Sequence, residues 1–148
     1  MTMNSDDWLR ALRQRCPEVD LLPPGPASVL DRAEHEVGTL PDELRDFLRQ
    51  ANGMNCRSFR LLSAFDERLP KKTWESLQRA NNPATARALG GDPELLSRFL
   101  VFADIGNGFA FFDRADGSIW FQESGEDEAA QTTLSFQEFL KTMIANAD

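Results

Sequence analysis

The stretch FLVFADIGNGFAFFDRADGSIWFQES, residues 99–124, decides the fold of this protein. It contains three short apolar runs, at about 99–104, 108–113 and 118–122. The turn sequences IGNG and RADG separate these runs, and Asn-Gly and Asp-Gly pairs favour tight turns between strands. Strands that are joined by such short turns pair antiparallel. The stretch therefore predicts an antiparallel strand meander.

The residues after the meander predict an acidic loop, a short strand and a final helix. The loop is SGEDEAAQ, residues 124–131, and TTL, residues 132–134, is the expected strand. Ser135 and Glu138 form a capping box, in which each side chain accepts a hydrogen bond from a backbone N–H group at the start of a helix. Apolar residues at helical spacing give this helix its buried face: Phe136, Phe139, Leu140, Met143 and Ile144.

Two helices are predicted ahead of the meander, in ASVLDRAEHEVG (residues 27–38) and TLPDELRDFLRQANG (residues 39–53). Gly38 is expected to end the first helix. In the second, Pro41 fits the first helical position, and Gly53 fits a left-handed residue that ends a helix. The second helix carries an apolar stripe at helical spacing: Leu40, Leu44, Phe47, Leu48 and Ala51.

Further segments complete the predicted order of elements. A helix at about residues 6–15, closed by Pro17, precedes the Pro-rich connector 17–28. A strand is expected at residues 58–65. The insert, residues 66–98, has mainly helical propensity, with a break at Asn82-Pro83 and a helix N-cap at Asp92.

These elements predict an α+β fold: a mainly antiparallel sheet of about five strands, with N-terminal helices and a C-terminal helix packed on it. The length of 148 residues fits one domain, residues 1–148, which is large enough to bury a core without disulfides or metal. No internal repeat and no long low-complexity tract is visible in the sequence.

Composition narrows the class of protein. The chain is 41% hydrophobic and 27% charged, which is ordinary for a globular protein. Two cysteines, Cys16 and Cys56, suit neither a disulfide scaffold nor a metal knuckle. The N-terminus shows no signal-peptide pattern, and no apolar run approaches the 18 or so residues of a membrane helix. We expect a cytoplasmic protein with reduced thiols and no membrane partner.

Negative charge is concentrated in the last third of the chain. The net charge is −8, and residues 99–148 carry −7 of it, from nine acidic and two basic residues. Nucleic-acid binding needs cations that displace counterions from phosphates, so this distribution argues against a direct nucleic-acid partner. It suits a basic protein partner, which such a field would steer. The alternative is an acidic face that only keeps the protein soluble.

Candidate partner-binding residues follow from this charge and from the turns. They are Asp104, Asn107, Asp116, Glu123, Glu126, Asp127, Glu128 and Trp74. Trp74 lies in the insert and is a candidate anchor, because Trp is enriched among interface hot spots. Trp120 lies in an apolar strand, where we expect it to be core. The loop carboxylates have two alternative roles, binding of a cation and simple solvation.

Catalytic chemistry has one candidate, His35, which is the only histidine. It lies between two glutamates in a predicted helix, where we expect it to be exposed, and no Gly-x-Ser-x-Gly nucleophile motif accompanies it. The sequence Gly106-Asn107-Gly108 lacks the third glycine of a dinucleotide fingerprint. The residues around Asp116 lack the spacing and the final Glu of a calcium loop. We expect no catalytic residue, no cofactor and no metal site.

Three stretches in this order resemble the SUKH superfamily, which includes fungal cell-wall regulators and many bacterial immunity proteins. They are AEHEVGTLPDELRDFLRQANG, FLVFADIGNGFAFFDRADGSIWF and LSFQEFLKTMI, and the resemblance covers about residues 30–144. The matching positions are Glu34, Leu40, Pro41, Phe47, Asn52, Gly53, Gly106, Gly108, Asp113, Gly117, Phe136, Phe139 and Leu140. Two features depart from the pattern: MNCRS follows Asn-Gly, and the insert has no family motif.

The resemblance implies binding rather than catalysis. Bacterial members of the superfamily commonly neutralise a cognate toxin by direct contact, and many such toxins are basic nucleases. The resemblance therefore implies a bacterial immunity protein whose partner is a basic protein toxin. One alternative is a regulatory adaptor of the fungal cell-wall-regulator kind, without a toxin. Another is a small enzyme that uses His35. The sequence leaves the oligomeric state open.

Overall fold

A computed structural model of the chain describes residues 19–146 together with Leu9, Arg10, Leu12 and Gln14. These four N-terminal residues have helical backbone, and Leu9 and Leu12 are buried in the core. The helix predicted over residues 6–15 is therefore seen at these positions. Cys16, Pro17 and Asp148 lie outside the described residues.

In the part of the chain that the structure describes, the sheet is antiparallel, and its seven strands lie side by side in sequence order. The strands are β1 (Asp20–Leu21), β2 (Met54–Cys56), β3 (Phe59–Leu61), β4 (Phe99–Asp104), β5 (Gly108–Asp113), β6 (Ile119–Glu123) and β7 (Ala130–Gln131). Residues 19–146 also contain helices α1 (Ala27–Val37), α2 (Asp42–Gln50), α3 (Leu77–Ala80), α4 (Pro93–Arg98) and α5 (Phe136–Asn146). The α+β fold predicted from the sequence is confirmed.

The central meander is confirmed almost residue for residue. Strands β4 and β5 have the predicted bounds, and β6 begins at Ile119, one residue later than expected. A β-bulge interrupts the register of β4 between Val101 and Ala103. Gly108 is required where β5 begins, because a Cβ there would lie 2.1 Å from the carbonyl oxygen of Gln122 on β6. The two strands therefore come closer at this end of the sheet than a side chain would allow.

The sheet has more strands than the five predicted, because its first two strands were not expected. They are too short to show an alternating pattern, and they form where Asp20 pairs with Asn55 and Leu21 with Met54. The prediction of a strand at residues 132–134 is wrong, since β7 lies just before it. The Thr132 hydroxyl oxygen accepts a hydrogen bond from the Leu134 N–H (3.1 Å), within the turn that leads to α5.

Helices α1 and α2 are confirmed, with two differences at the ends of α2. The predicted stripe of α2 is buried throughout, at 0–3% exposure: Leu40, Leu44, Phe47, Leu48 and Ala51. Pro41 is the N-cap residue rather than the first helical residue. Gly53 does not end the helix, because α2 stops at Gln50 and Ala51 caps it. The positive φ of Gly53, +113°, instead belongs to the turn into β2.

Helix α5 covers one face of the sheet. Its predicted capping box is present: the Glu138 N–H donates to the Ser135 Oγ (3.2 Å), and the Ser135 N–H donates to the Glu138 carboxylate (3.1 Å). Phe136 packs against Phe102 of β4 with the two ring centroids 6.1 Å apart, and edge-on against Phe47 of α2 at the same separation. Helices α2 and α5 therefore share one aromatic core with the sheet.

The insert is less helical than its propensity predicts. It contains only α3, α4 and a 3₁₀ turn at Ala88–Gly91. The Leu77 N–H donates to the Ser63 carbonyl (2.8 Å), and the Ser63 N–H donates to the Glu75 carbonyl (3.2 Å). Backbone groups near Glu75 thus find hydrogen-bond partners at Ser63, outside the insert. The chain there does not need to be helical to satisfy them. The predicted N-cap at Asp92 is confirmed, and its side chain accepts from the Glu94 N–H (2.9 Å).

The insert covers the opposite face of the sheet from α5. Phe111 and Phe112 are neighbours in β5 and so point to opposite faces. Phe112 stacks on Phe102 in the α5 layer, whereas Phe111 contacts Phe99, with ring centroids 4.8 Å apart. Arg98, the last residue of α4, lies over Phe99 at 4.6 Å. The 66–98 insert is thus a structural layer of this protein and not only a surface addition.

Two asparagine side chains among the described residues, the buried Asn52 and the half-buried Asn81, take the place of missing strand partners. The Asn52 amide donates to the Ala64 carbonyl and accepts from the Ala64 N–H, both at 2.9 Å. Asn81 pairs in the same way with Val101, at 2.9 and 2.8 Å. Strand β3 pairs with β4 only up to Ala103, so Asn81 satisfies the peptide groups of Val101 that β3 does not reach.

Candidate protein interface

One end of the sheet collects most of the predicted partner-binding residues. Asp104 pairs with Phe109, and Gly108 pairs with Glu123, so the β4–β5 turn and the end of β6 are neighbours. The Ser124 N–H donates to the Asn107 carbonyl (2.6 Å), which fixes the start of the acidic loop against this turn. Asp104, Asn107 and Glu123 therefore lie at the same end of the sheet.

The acidic loop and Glu123, the last residue of β6 just before it, carry four exposed carboxylates: Glu123, Glu126, Asp127 and Glu128. None of the four forms an ion pair within the part of the chain that the structure describes. Several arginines elsewhere are paired with acids, for example Arg45 with Glu34 and Arg87 with Glu75. The negative charge seen in the sequence is therefore uncompensated at this loop.

The loop lies between two concave surfaces. The first, which we call the α5 groove, has a volume of about 400 Å³ and is bounded by α5, the β4–β5 turn and the end of β6. Six apolar side chains line it: Phe59, Ile105, Phe121, Leu134, Phe139 and Met143. Asn107 and Glu123 also line this groove. Sequence reasoning found these two polar residues but missed the groove, since its apolar walls come from separate segments.

The second surface, the α4 cleft, lies on the opposite face of the sheet and has a volume of about 440 Å³. Asp127 and Glu128 line it together with Arg98 and Trp120. Trp120 is half-buried rather than fully in the core, and its indole N–H donates to the Ser118 Oγ (2.9 Å). Arg98 lies 5.5 Å from the centroid of the Trp120 ring and also pairs with Asp113 at 3.6 Å. This cleft therefore mixes both signs of charge.

Asp116 is separated from the other predicted residues. It lies in the β5–β6 turn, at the far end of strands that are roughly 17–20 Å long. Its carboxylate accepts from the Ser118 hydroxyl (2.6 Å) and the Ser118 N–H (2.9 Å), and these hydrogen bonds hold the pKa of Asp116 below its usual range. Asp116 thus organises a hairpin turn. The predicted residues therefore do not form one continuous surface.

Trp74 is the most exposed large hydrophobic side chain among the described residues, at 51% exposure. The guanidinium of Arg79 lies 4.2 Å from its ring centroid, in a cation–π contact. Arg79 also lines a small cleft beside Phe109, at the end of the sheet that carries Asn107. Sequence reasoning identified Trp74 but not Arg79, because the contact between the two side chains depends on how the chain folds between them.

The remaining candidates for chemistry are isolated. His35 is exposed on α1, as predicted, and none of the described pockets includes it. In the described residues no three His, Cys, Asp or Glu side chains converge in a way that would hold a metal ion. The Cys56 thiol is buried.

Within the described residues no helix has both the length and the apolar character needed to cross a bilayer.

Comparison with known proteins identifies the family. The model of the SMI1 / KNR4 family (SUKH-1) matches residues 25–142, from just before α1 into α5. No curated protein matched the chain. The family comprises immunity proteins and Smi1/Knr4 regulators and is generally non-catalytic. The match spans most of the 148 residues, so the resemblance seen in the sequence is confirmed, and this chain belongs to the SMI1/KNR4 (SUKH-1) family.

Proposed function

We propose that this protein is a bacterial cytoplasmic immunity protein that binds one toxin directly and blocks it. The observation that carries the proposal is the set of unpaired carboxylates at residues 123–128, between two concave surfaces at one end of the sheet. Such a surface attracts a basic protein, and a nuclease toxin is basic because it holds nucleic acid. Asp104 and Asn107 lie at the same end and would add contacts, and the exposed Trp74 would add an anchor from the insert.

The test is charge reversal in the acidic loop. The variant Glu126→Lys, Asp127→Lys, Glu128→Lys is measured by calorimetry against the toxin that the neighbouring gene encodes, at low and high salt. We expect affinity at low salt to fall by about ten- to a hundredfold, with a weaker salt dependence, because steering and pairing are lost. Unchanged affinity together with unchanged salt dependence contradicts the electrostatic proposal.

A matched control separates local contact from total charge. The variant Asp20→Lys, Glu43→Lys, Glu94→Lys changes the net charge by the same amount at exposed positions on β1, α2 and α4. We expect this control to lower affinity much less than the loop variant. Equal losses in the two variants mean that net charge alone drives association, and the acidic loop is then not the contact.

The second candidate is a regulatory adaptor without a toxin, which the presence of Smi1/Knr4 regulators in the family favours. Gene neighbourhood separates the two, because an immunity protein is encoded beside its toxin. If no neighbouring gene encodes a toxin, a pull-down from the native host followed by mass spectrometry identifies the adaptor's partner. Retained biological activity in a His35→Ala variant removes the third candidate, an enzyme that relies on His35.

A further inference from the structure

The α5 groove has a chemistry that restricts what it can hold. Its walls are apolar, and its neutral polar groups come from Ser58, Asn107, Thr132 and Asn146. Among the described residues that line it, Glu123 is the only ionisable one. No lysine or arginine lines the groove in the described part of the chain, so an anionic ligand would be repelled by Glu123 and its loop. The groove therefore suits an apolar group with a positive charge beside it.

The position of Glu123 places its charge at the rim of the groove. Phe121 and Glu123 lie two residues apart on β6 and so point to the same face of the sheet. Phe121 is half-buried, whereas Glu123 is exposed and has no ion-pair partner among the described residues. A ligand whose apolar group rests on Phe121 would bring an adjacent cation to Glu123. In the α4 cleft, Arg98 would oppose the same cation.

We propose that the α5 groove is the specificity pocket for a protein segment in which a large apolar side chain stands next to a lysine or arginine. The apolar side chain enters between α5 and β6, and the cation pairs with Glu123. The volume of about 400 Å³ exceeds what one such side chain fills and lies within the range of small-ligand pockets. This inference rests on the proposed function only in taking the ligand to be part of a protein.

The test uses small peptide probes, so it does not depend on a toxin. N-acetyl-Leu-Lys-amide is titrated into the isotope-labelled full chain, and methyl NMR shifts of Ile105, Leu134 and Met143 are followed. N-acetyl-Leu-Glu-amide and N-acetyl-Ser-Lys-amide are the comparison probes. We expect saturable shifts with Leu-Lys, at least threefold weaker binding of Leu-Glu, and no shifts of these methyl groups with Ser-Lys. Equal binding of Leu-Lys and Leu-Glu, or no shift with Leu-Lys, overturns the inference.

Three variants test the residues. Glu123→Gln should remove the preference for Leu-Lys over Leu-Glu while leaving the methyl shifts in place. Glu128→Gln is the matched control, since Glu128 belongs to the same loop but lines the α4 cleft, and it should keep the preference. Asn146→Trp changes an exposed residue at the end of α5, blocks the groove and should abolish binding. Loss of the preference in both glutamate variants overturns the role of Glu123.

Failure of this inference is distinguishable from failure of the proposed function. If the loop charge reversal weakens toxin binding but Leu-Lys does not enter the groove, the pocket is wrong and the immunity proposal stands. If Leu-Lys binds in the groove but the loop charge reversal leaves toxin affinity unchanged, the groove inference stands and the electrostatic part of the proposed function is wrong. Concentration-dependent dimerisation that Asn146→Trp abolishes would mean that a second copy of the chain occupies the groove, and this would overturn the inference.

Discussion

Arg114 Nη1 donates a hydrogen bond to the carbonyl oxygen of Val37 over 2.7 Å, joining residues 77 positions apart in the chain. Arg114 Nη2 donates to the Leu96 carbonyl at 3.3 Å. One guanidinium thus binds carbonyls near the C-terminal ends of α1 and α4, where helix dipoles favour a cation. Burial lowers the pKa of Arg114, which nevertheless remains a cation. Gly38 lies beside it with a φ of +95°, and a Cβ there would lie 2.8 Å from Nη1, so a side chain would be strained and would push the guanidinium aside.

Arg114→Met should destabilise the protein by about 1–3 kcal/mol, because the Val37 and Leu96 carbonyls lose their donor in a partly buried place. Urea denaturation measures this change. The control is Arg87→Met, since the side chain of Arg87 is 66% exposed and its replacement should change stability by less than about 0.5 kcal/mol.

Gly38→Ala should also destabilise the protein, since its φ of +95° and the close approach of Arg114 both disfavour a side chain. Because the two substitutions disrupt the same contact, the double variant should lose less stability than the two single variants added together. Strict additivity would show that Gly38 matters only through its backbone conformation.

Asn52→Ala should cost about 2–4 kcal/mol, because it leaves both the N–H and the carbonyl of Ala64 without partners in the core. Asn52 itself is 3% exposed, so water cannot easily replace the lost amide. Chemical denaturation gives the value, and Asn107→Ala, in an exposed turn, is the matched control. A loss of similar size in both variants would argue against a special role for the Asn52 amide.

The free energy of unfolding should rise with pH in the acid range because of the ionised Asp66 carboxylate, which is 2% exposed. The pKa of Asp66 is lowered mainly by the hydrogen bonds from the Arg68 side chain, at 3.0 and 2.8 Å. In the unfolded chain the carboxyl titrates near about 3.9, so below that pH the unfolded state binds more protons. The contribution of the Asp66 carboxylate to stability is complete above this unfolded pKa and is lost as the pH falls through the lower pKa of the folded state.

Urea denaturation of the wild type and Asp66→Asn between pH 3 and pH 6 measures this effect. The difference in free energy of unfolding between the wild type and the variant should shrink as the pH falls, because the unfolded wild type takes up a proton at Asp66 before the folded state does. Arg68→Gln removes the partner that lowers the pKa, so in that background the difference should vary less with pH. A difference that stays constant across the range in the wild-type background would contradict the role of the carboxylate.

Trp74→Ala should lower affinity for the partner by about thirtyfold or more, the loss expected of a Trp hot spot, while changing stability little. The side chain is 51% exposed, so the fold does not depend on its burial. Trp74→Phe keeps an aromatic face for Arg79 and should retain part of the affinity. Calorimetric titration and thermal denaturation of both variants check this, and an unchanged affinity in Trp74→Ala removes Trp74 from the interface.

The sequence by itself determined the elements whose signals are local. The strands β4 to β6 follow from apolar runs and tight turns, α2 from its buried stripe, and the start of α5 from Ser135 and Glu138. These features depend on residues within a few positions of each other, so a linear pattern records them. The concentration of carboxylates in the last third was equally visible, because charge needs no fold to be counted.

Only the tertiary structure decided the short strands, the conformation of the insert and the surfaces beside the acidic loop. Strands β1 and β2 exist because they pair with each other, and the insert departs from its helical propensity because Ser63 and Val101 satisfy its polar groups. The α5 groove is assembled from side chains far apart in sequence, and Asp116 is carried to the opposite end of the sheet. Long-range hydrogen bonds and packing outweigh local propensity at these places, and no local pattern encodes them.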